Sequence, residues 1–270
     1  MNGEATMNMR WAKRVDHLSD IEQAKEQGFQ IVQLPVAEII RLDDHTFFEF
    51  KEHFLKAGLS FEVFESPLPE GVNTMERGFN IYAWIEYLKK AIRKIAELGC
   101  KTLVWGDGQA RILPEEGEAT VLKENFNQFL FMVAEIAEKN KMAFCLEPLG
   151  SKRTNFLNSL EEIVGVINSV GKKNLAIMIA SSDITETNMR TEEIFYYRDL
   201  IGHAYLDSLP EDTVRIKNEL NFHGASGSQH PIPFLSILKK VSYKKVIALP
   251  KTADSEMLML CKEVWDRSNT

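Results

Sequence analysis

The sequence predicts a single (β/α)8 barrel, and three observations carry that expectation. Short apolar runs alternate with longer amphipathic segments, and the alternation repeats eight times. A unit of roughly 30 residues per repeat suits a barrel better than an open doubly wound sheet. The long connections, 65–78, 106–118, 180–190 and 207–231, all follow apolar runs, which puts them on the face where barrels keep their active sites. A nucleotide-binding sheet would carry G-x-G-x-x-G after its first strand; Gly106-Asp107-Gly108 is only a fragment of that motif and follows the fourth run. No linker or low-complexity stretch divides the chain, so residues 1–270 read as one domain.

The strand candidates are 11–15, 29–34, 60–64, 102–105, 143–146, 175–179, 201–206 and 245–249. Most are apolar on both faces, as strands buried inside a parallel sheet should be. Helix signals fill the gaps. Ser19-Asp20-Ile21-Glu22 and Asn158-Ser159-Leu160-Glu161-Glu162 each offer a cap followed by an acidic first turn. Gly28, Gly58, Gly99, Asn140 and Gly171 sit just before strand candidates, where a left-handed residue ends a helix. Phe126, Phe129, Leu130, Val133, Ile136 and Ala137 recur at helical spacing, as a core-packing stripe does.

Hydrophobic residues make up 44% and charged residues 26%, with a formal net charge of -7. That acidic balance argues against nucleic acid or an anionic membrane as partner. Lys239-Lys240 with Lys244-Lys245 reads as solvated helix end and turn. The three cysteines are scattered and form no CxxC pair, so neither a disulfide framework nor a zinc ribbon is expected; Cys145 reads as a small buried hydrophobe. No apolar leader or run of about 18 apolar residues is present, and a cytoplasmic location is the default expectation.

The polar residues at strand ends define a candidate pocket wall: Asp16, His17, Gln33, Glu62, Glu65, Trp105, Asp107, Glu147, Asp183, His203, Tyr205, Asp207 and Lys251. Glu147 is the most informative, because a carboxylate at the mouth of a buried strand is costly unless paired or used. It reads as a general base or as a structural ion-pair partner. His203 suits a ligand contact or a satisfied core histidine equally. Trp105 and Tyr205 suit pocket lining or barrel filling equally. Asp107 and Asp207 suit caps of the following segments, and Asp207 also stands with the substrate-contacting set.

Several of these stretches resemble the sugar isomerase/epimerase family with the xylose isomerase-like TIM barrel, which includes the endonuclease IV branch. Residues 24–34 look like its first helix and second strand. Val104-Trp105-Gly106-Asp107-Gly108-Gln109-Ala110-Arg111 with Pro114 is similar to its fourth-strand loop. Leu146-Glu147-Pro148-Leu149 followed by Thr154-Asn155-Phe156-Leu157-Asn158-Ser159 resembles its fifth-strand signature, and Ile201-Gly202-His203-Ala204-Tyr205 sits where it has His-x-His. The resemblance implies one divalent metal held by Glu, Asp, His and Glu from strands five to eight. Glu147 matches the first ligand. The Asp falls on Ala180, a substrate-contacting His on Asp183, the strand-seven ligand on Tyr205, and the last Glu on Leu249 before Pro250. The Asn-Arg-x-Glu run usual after the fifth-strand motif is replaced by Gly150-Ser151-Lys152-Arg153.

Hard divalent cations need several converging oxygen or imidazole donors, and alanine and leucine supply none. The expectation is therefore no metal cofactor, with a shifted site of Glu147, Asp183 and His203 as the minority alternative. The function expected is isomerase- or epimerase-like, on a sugar, sugar phosphate or inositol-type keto polyol in carbohydrate metabolism. Its chemistry would be proton transfer beside a carbonyl. Glu147, Lys251 and Asp183 are the expected catalytic residues, with Lys251 or Arg153 supplying the metal's charge. Trp105, Arg111, Arg153, His203, Tyr205, Asp207 and Glu65 are the expected substrate contacts. The alternative is a catalytically inactive barrel that binds a small ligand or a protein partner. A phosphate is weakly suggested by Arg111, Lys152, Arg153 and Lys251, against the commoner reading of solvated loop cations. A homo-oligomer is compatible with the sequence.

Overall fold

Eight parallel strands close into one barrel in sequence order. The computed structural model describes residues 9–115, 118–207 and 231–267, with backbone alone for 231–233. The strands are β1 (Arg10–Arg14), β2 (Ile31–Pro35), β3 (Ser60–Glu65), β4 (Thr102–Trp105), β5 (Ala143–Leu146), β6 (Leu175–Ala180), β7 (Ile201–Tyr205) and β8 (Val246–Leu249). Closure comes from β1, which pairs with β2 through Ala12 and Ile31 and with β8 through Ala12 and Ala248.

The helices follow in chain order. They are α1 (Ile21–Glu26), α2 (Val36–Ile40), α3 (Asp44–Lys56), α4 (Ile81–Glu97), α5 (Ala119–Lys139), α6 (Leu160–Val170), α7 (Asp183–Glu186), α8 (Thr191–Tyr196), α9 (Pro231–Lys240) and α10 (Ser255–Arg267). Each strand is apolar on both faces because it serves two cores. Small residues such as Ala12, Cys145, Ala176, Ala180 and Ala248 fill the lumen with Val63, Val104 and Met178. Larger ones such as Phe64, Leu103, Trp105, Phe144 and Leu249 pack outward against the helices. That division is what a barrel interior of limited width requires.

Local signals behave largely as their chemistry dictates. In α6, Ser159 Oγ accepts from Glu162 N at 3.2 Å while Glu162 Oε2 accepts from Asn158 N at 2.6 Å. In α5, Phe126, Phe129, Leu130, Val133 and Ala137 are buried, and Ile136 packs partly buried against them. Gly28, Gly58, Gly99 and Gly171 take positive φ. Asn140 does not: its φ is -99, its side chain donates to Ile136 O, and the left-handed position falls on Lys141 at φ 58. The first helix also opens differently, since Leu18–Asp20 forms a 3-10 turn before Ile21. No helix among the described residues is long and apolar enough to cross a membrane.

Candidate active site at the strand ends

The C-terminal ends of the strands enclose a cavity of about 190 Å³, lined by residues of six strands and the loops that follow them, with Met178 of β6 among them. Arg14 comes from β1, Glu65 and Ser66 from β3, Val104 and Gly106 from β4, Glu147 and Arg153 from the segment after β5, and Tyr205 and Asp207 from β7. A larger cavity of about 600 Å³ opens at the opposite end, and its opposed charges Arg10 and Glu62 are spent on each other at 2.7 Å. Glu62 therefore belongs to the barrel floor, not to the pocket wall expected from the sequence.

Glu147 is 5% exposed and stands against the backbone of the β4 loop. A methyl at Gly106 would lie 1.7 Å from Glu147 Oε2, so only glycine leaves room for this carboxylate. Burial raises the Glu147 pKa to about 7, against the pull of Arg153 and Arg111 and with the help of the Asp207 and Glu65 charges. Arg153 Nη1 lies 3.9 Å from Glu147 Oε1, and Arg153 Nη2 donates to Gly106 O at 3.1 Å.

Behind Glu147 lies a second, fully buried layer. Arg111 donates through Nη2 to the Glu147 carbonyl, while its Nε and Nη1 have no partner among the described residues. Burial lowers its pKa to about 10, opposed by the Glu147 charge. Asp183 Oδ2 accepts from Ala180 N at 2.6 Å, and its buried Oδ1 is likewise unpartnered. Burial, then the Glu147 charge, holds the Asp183 carboxyl well above the ordinary carboxylate range.

A hydrogen-bonded chain crosses the lumen on the other side. Arg14 Nε donates to Glu65 Oε1 at 2.7 Å, and Arg14 Nη1 donates to Tyr205 Oη at 3.3 Å. Gln33 Nε2 donates to Glu65 Oε2 at 2.6 Å, which turns Gln33 Oε1 toward His203 Nε2 at 3.0 Å. The amide orientation therefore makes His203 the donor through Nε2. Burial, then the Lys245 charge, lowers the His203 pKa to about 3, so the ring is neutral. For Arg14, burial works to lower the pKa, but Glu65 and Tyr205 outweigh it and raise it.

The loops are held by the polar residues of the fifth-strand motif. Asn155 exchanges two 2.8 Å hydrogen bonds with the backbone of Leu113, tying the β5 loop to the β4 loop. Asn158 Nδ2 donates to Leu149 O at 2.6 Å and Thr154 O at 2.9 Å, and Thr154 Oγ1 donates to Arg111 O at 3.4 Å. The motif thus builds the seat of Arg153 rather than contacting a ligand. Asp107 caps its own turn through Gln109 N at 2.9 Å. Asp207 accepts from Ser181 Oγ at 2.6 Å, from Ser182 N at 3.0 Å and from Ser182 Oγ.

The structure gathers Glu147, Arg153, Glu65, Tyr205 and Asp207 around one cavity, with Asp183 and Arg111 just behind. Beside Glu62, four further expectations need correction. Trp105 points outward, stacked on Phe126 and Phe144 at 5.6 and 6.1 Å, so it fills the helix layer and does not line the pocket. Lys251 has a 64% exposed side chain paired with Asp16 and is not among the residues lining the cavity. His203 lies below the cavity floor, bonded to Gln33. Arg111 is sealed from the cavity at 0% exposure. Arg14 is the residue that sequence reading missed. The signal was strand parity, because Arg14 shares a face with lumen-facing Ala12.

Of the positions aligned with metal ligands, Ala180 does face the lumen, where its methyl offers no donor. Leu249 faces the outer core and its inward neighbour in β8 is Ala248, so neither side chain brings a donor to the lumen. Among the described residues, no group of three or more His, Cys, Asp or Glu side chains converges, and the alternative set of Glu147, Asp183 and His203 is not assembled.

A profile of the xylose isomerase-like TIM barrel family matches residues 21–252. Solved structures share the fold at low identity. A D-psicose 3-epimerase with D-tagatose, from Clostridium cellulolyticum H10, superposes with a TM-score of 0.74 at 14% identity, covering 96% of this chain and 98% of that one. A D-tagatose 3-epimerase-like protein gives 0.72 at 19% identity, covering 97% and 100%. A xylose isomerase domain protein from Alicyclobacillus acidocaldarius gives 0.66 at 18% identity, covering 95% and 96%. No curated protein matches the sequence.

Proposed function

The chain belongs to the xylose isomerase-like TIM barrel family, and from that premise we propose that it is a sugar isomerase- or epimerase-like enzyme that moves a proton beside a carbonyl without a divalent metal. The observation that carries this is Glu147: a buried carboxyl with a pKa near 7, at the mouth of a polar cavity, beside a guanidinium. A group titrating near neutrality can both take and return a proton. The donor set argues against a resident metal. Glu147 is the one aligned ligand retained, the Tyr205 phenol is engaged by Arg14, and Ala180 and Ala248 offer nothing. Arg111 adds a buried positive charge beside Glu147.

In the proposed step, Glu147 takes the proton from the carbon next to the substrate carbonyl. The C–H electron pair forms the new C=C bond, and the carbonyl oxygen receives the negative charge. Arg153 stabilises that enediolate oxygen. Return of the proton from Glu147 to the former carbonyl carbon, with the α-hydroxyl proton passing to the former carbonyl oxygen, gives the isomer. The epimer requires a second acid to protonate the opposite face, a role open to the Tyr205 phenol on the cavity wall, with both groups restored through solvent. Solvent-deuterium incorporation into a panel of ketoses and keto-inositols, followed by NMR, tests this. The expected result is exchange that survives EDTA and disappears in Glu147→Gln and Arg153→Met. Exchange that requires added Mn²⁺ defeats the metal-free reading. Binding without exchange anywhere in the panel favours the catalytically inactive alternative, for which the lost ligand at Ala180 speaks.

A further inference from the structure

Donors and acceptors on the cavity wall are unevenly matched. Glu65 already accepts from Arg14 Nε and Gln33 Nε2, at 2.7 and 2.6 Å. Asp207 accepts from Ser181 and Ser182, and the Gly106 carbonyl accepts from Arg153. Arg14 spends Nε on Glu65 and Nη1 on Tyr205, but its Nη2 makes no hydrogen bond among the described residues. Tyr205 accepts from Arg14, so its own O–H proton remains to be given. Arg14 lines the cavity from β1, opposite the β5 end that carries Glu147, and Tyr205 lines it from β7, with β8 between it and β1 in the closed order.

From this polarity we infer that the ligand carries an oxyanion, a carboxylate or a phosphate monoester, seated on Arg14 Nη2 and Tyr205 Oη across from Glu147. The inference rests on reading the cavity as the substrate site and names the class of substrate it takes. A guanidinium with a fixed orientation matches the planar oxygens of such a group better than it matches one hydroxyl. Glu65, braced by Gln33 and through it by His203, is a positioning residue that fixes the guanidinium plane. The chain's net charge of -7 makes this a local preference, since the molecule as a whole repels anions.

Isothermal titration at neutral pH with four probes tests it: D-fructose, 5-keto-D-gluconate, D-fructose 6-phosphate and inorganic phosphate. We expect at least one anionic keto sugar to bind about tenfold or more tighter than D-fructose. Arg14→Gln and Tyr205→Phe should erase that advantage, and Glu147→Gln should keep it. Which anion binds tighter separates carboxylate from phosphate. Should Arg14→Gln fail to fold once Glu65 loses its partner, Tyr205→Phe decides alone. D-fructose binding as tightly as both anions, inorganic phosphate binding as tightly as either keto sugar, or no binding by any probe overturns the inference. Exchange into neutral ketoses alone would preserve the proton-transfer reading and defeat this one. Tight anion binding without exchange would do the reverse.

Discussion

Glu147 and Gly106 show how one residue's chemistry depends on its neighbour's lack of a side chain. The glycine is required by close approach, with Glu147 Oε2 occupying the space a methyl would need. The obstructing atom is the tip of a flexible side chain, so Gly106→Ala should fold with a loss of only about 1 kcal/mol. The displaced carboxylate should lose deuterium-exchange activity by roughly 100-fold, since a misplacement of about 1 Å costs that much. Gly108→Ala is the contrasting case. There a methyl would meet the Arg153 carbonyl at 2.4 Å, backbone that cannot swing aside, so thermal unfolding should show the larger destabilisation. Equal stability losses in the two variants would show that the Glu147 carboxylate is not free to move. At this scale the sequence was partly legible. Glu147 stood out because a carboxylate in an apolar run is anomalous. Lys251 misled because nothing in the chain reveals that Asp16, 235 positions away, pairs with it.

Strands and helices were more legible than side-chain directions. The predicted strands agree with the observed ones to within two residues at each end, because eight runs apolar on both faces have few other solutions. Direction is harder, since inner and outer positions are both apolar and parity must be fixed from somewhere. The pairing of β2 with β3 shifts register between Ile31 and Gln33, which breaks the simple alternation along β3. Glu62 lies near the start of that strand at the floor, and Glu65 at its end by the mouth. Trp105 was misread for the same reason. Packed against Phe126, Phe129 and Phe144, it belongs to the contact between β4, β5 and α5. Trp105→Ala should cost about 3–5 kcal/mol in urea denaturation, as large aromatic truncations in cores do. Ligand affinity at saturating folded protein should be unchanged, and a loss of binding without loss of stability would return Trp105 to the pocket. Ser159→Ala should cost about 1 kcal/mol, because the Glu162 amide loses its cap.

For the whole molecule, the two buried carboxyls make stability depend on pH in a direction opposite to ordinary acid denaturation. Glu147 is raised from 4.5 to about 7, and Asp183 is raised well above 3.8, both chiefly by burial. A group whose folded pKa exceeds its unfolded value adds stability that is complete below the unfolded pKa and is lost as pH rises through the folded one. The Glu147 contribution should therefore fall away between pH 4.5 and about 7 and stay constant above that. Other groups shift in the opposite sense, Asp16 beside Lys251 among them, so the difference between wild type and Glu147→Gln is the informative curve. That difference should be near zero at acid pH, where both side chains are neutral and similar in shape. By about pH 8 the variant should be more stable, by on the order of 1–3 kcal/mol, because the cost of burying the ionised group is gone. Removing the Glu147 charge should also ease Asp183 toward its ordinary range, extending the effect. Urea titrations at several pH values would measure this. A variant less stable than wild type by more than about 2 kcal/mol at neutral pH would instead make Glu147 half of a structural pair with Arg153 or Arg111, and the case for a carboxyl kept ready to exchange its proton would fall with it.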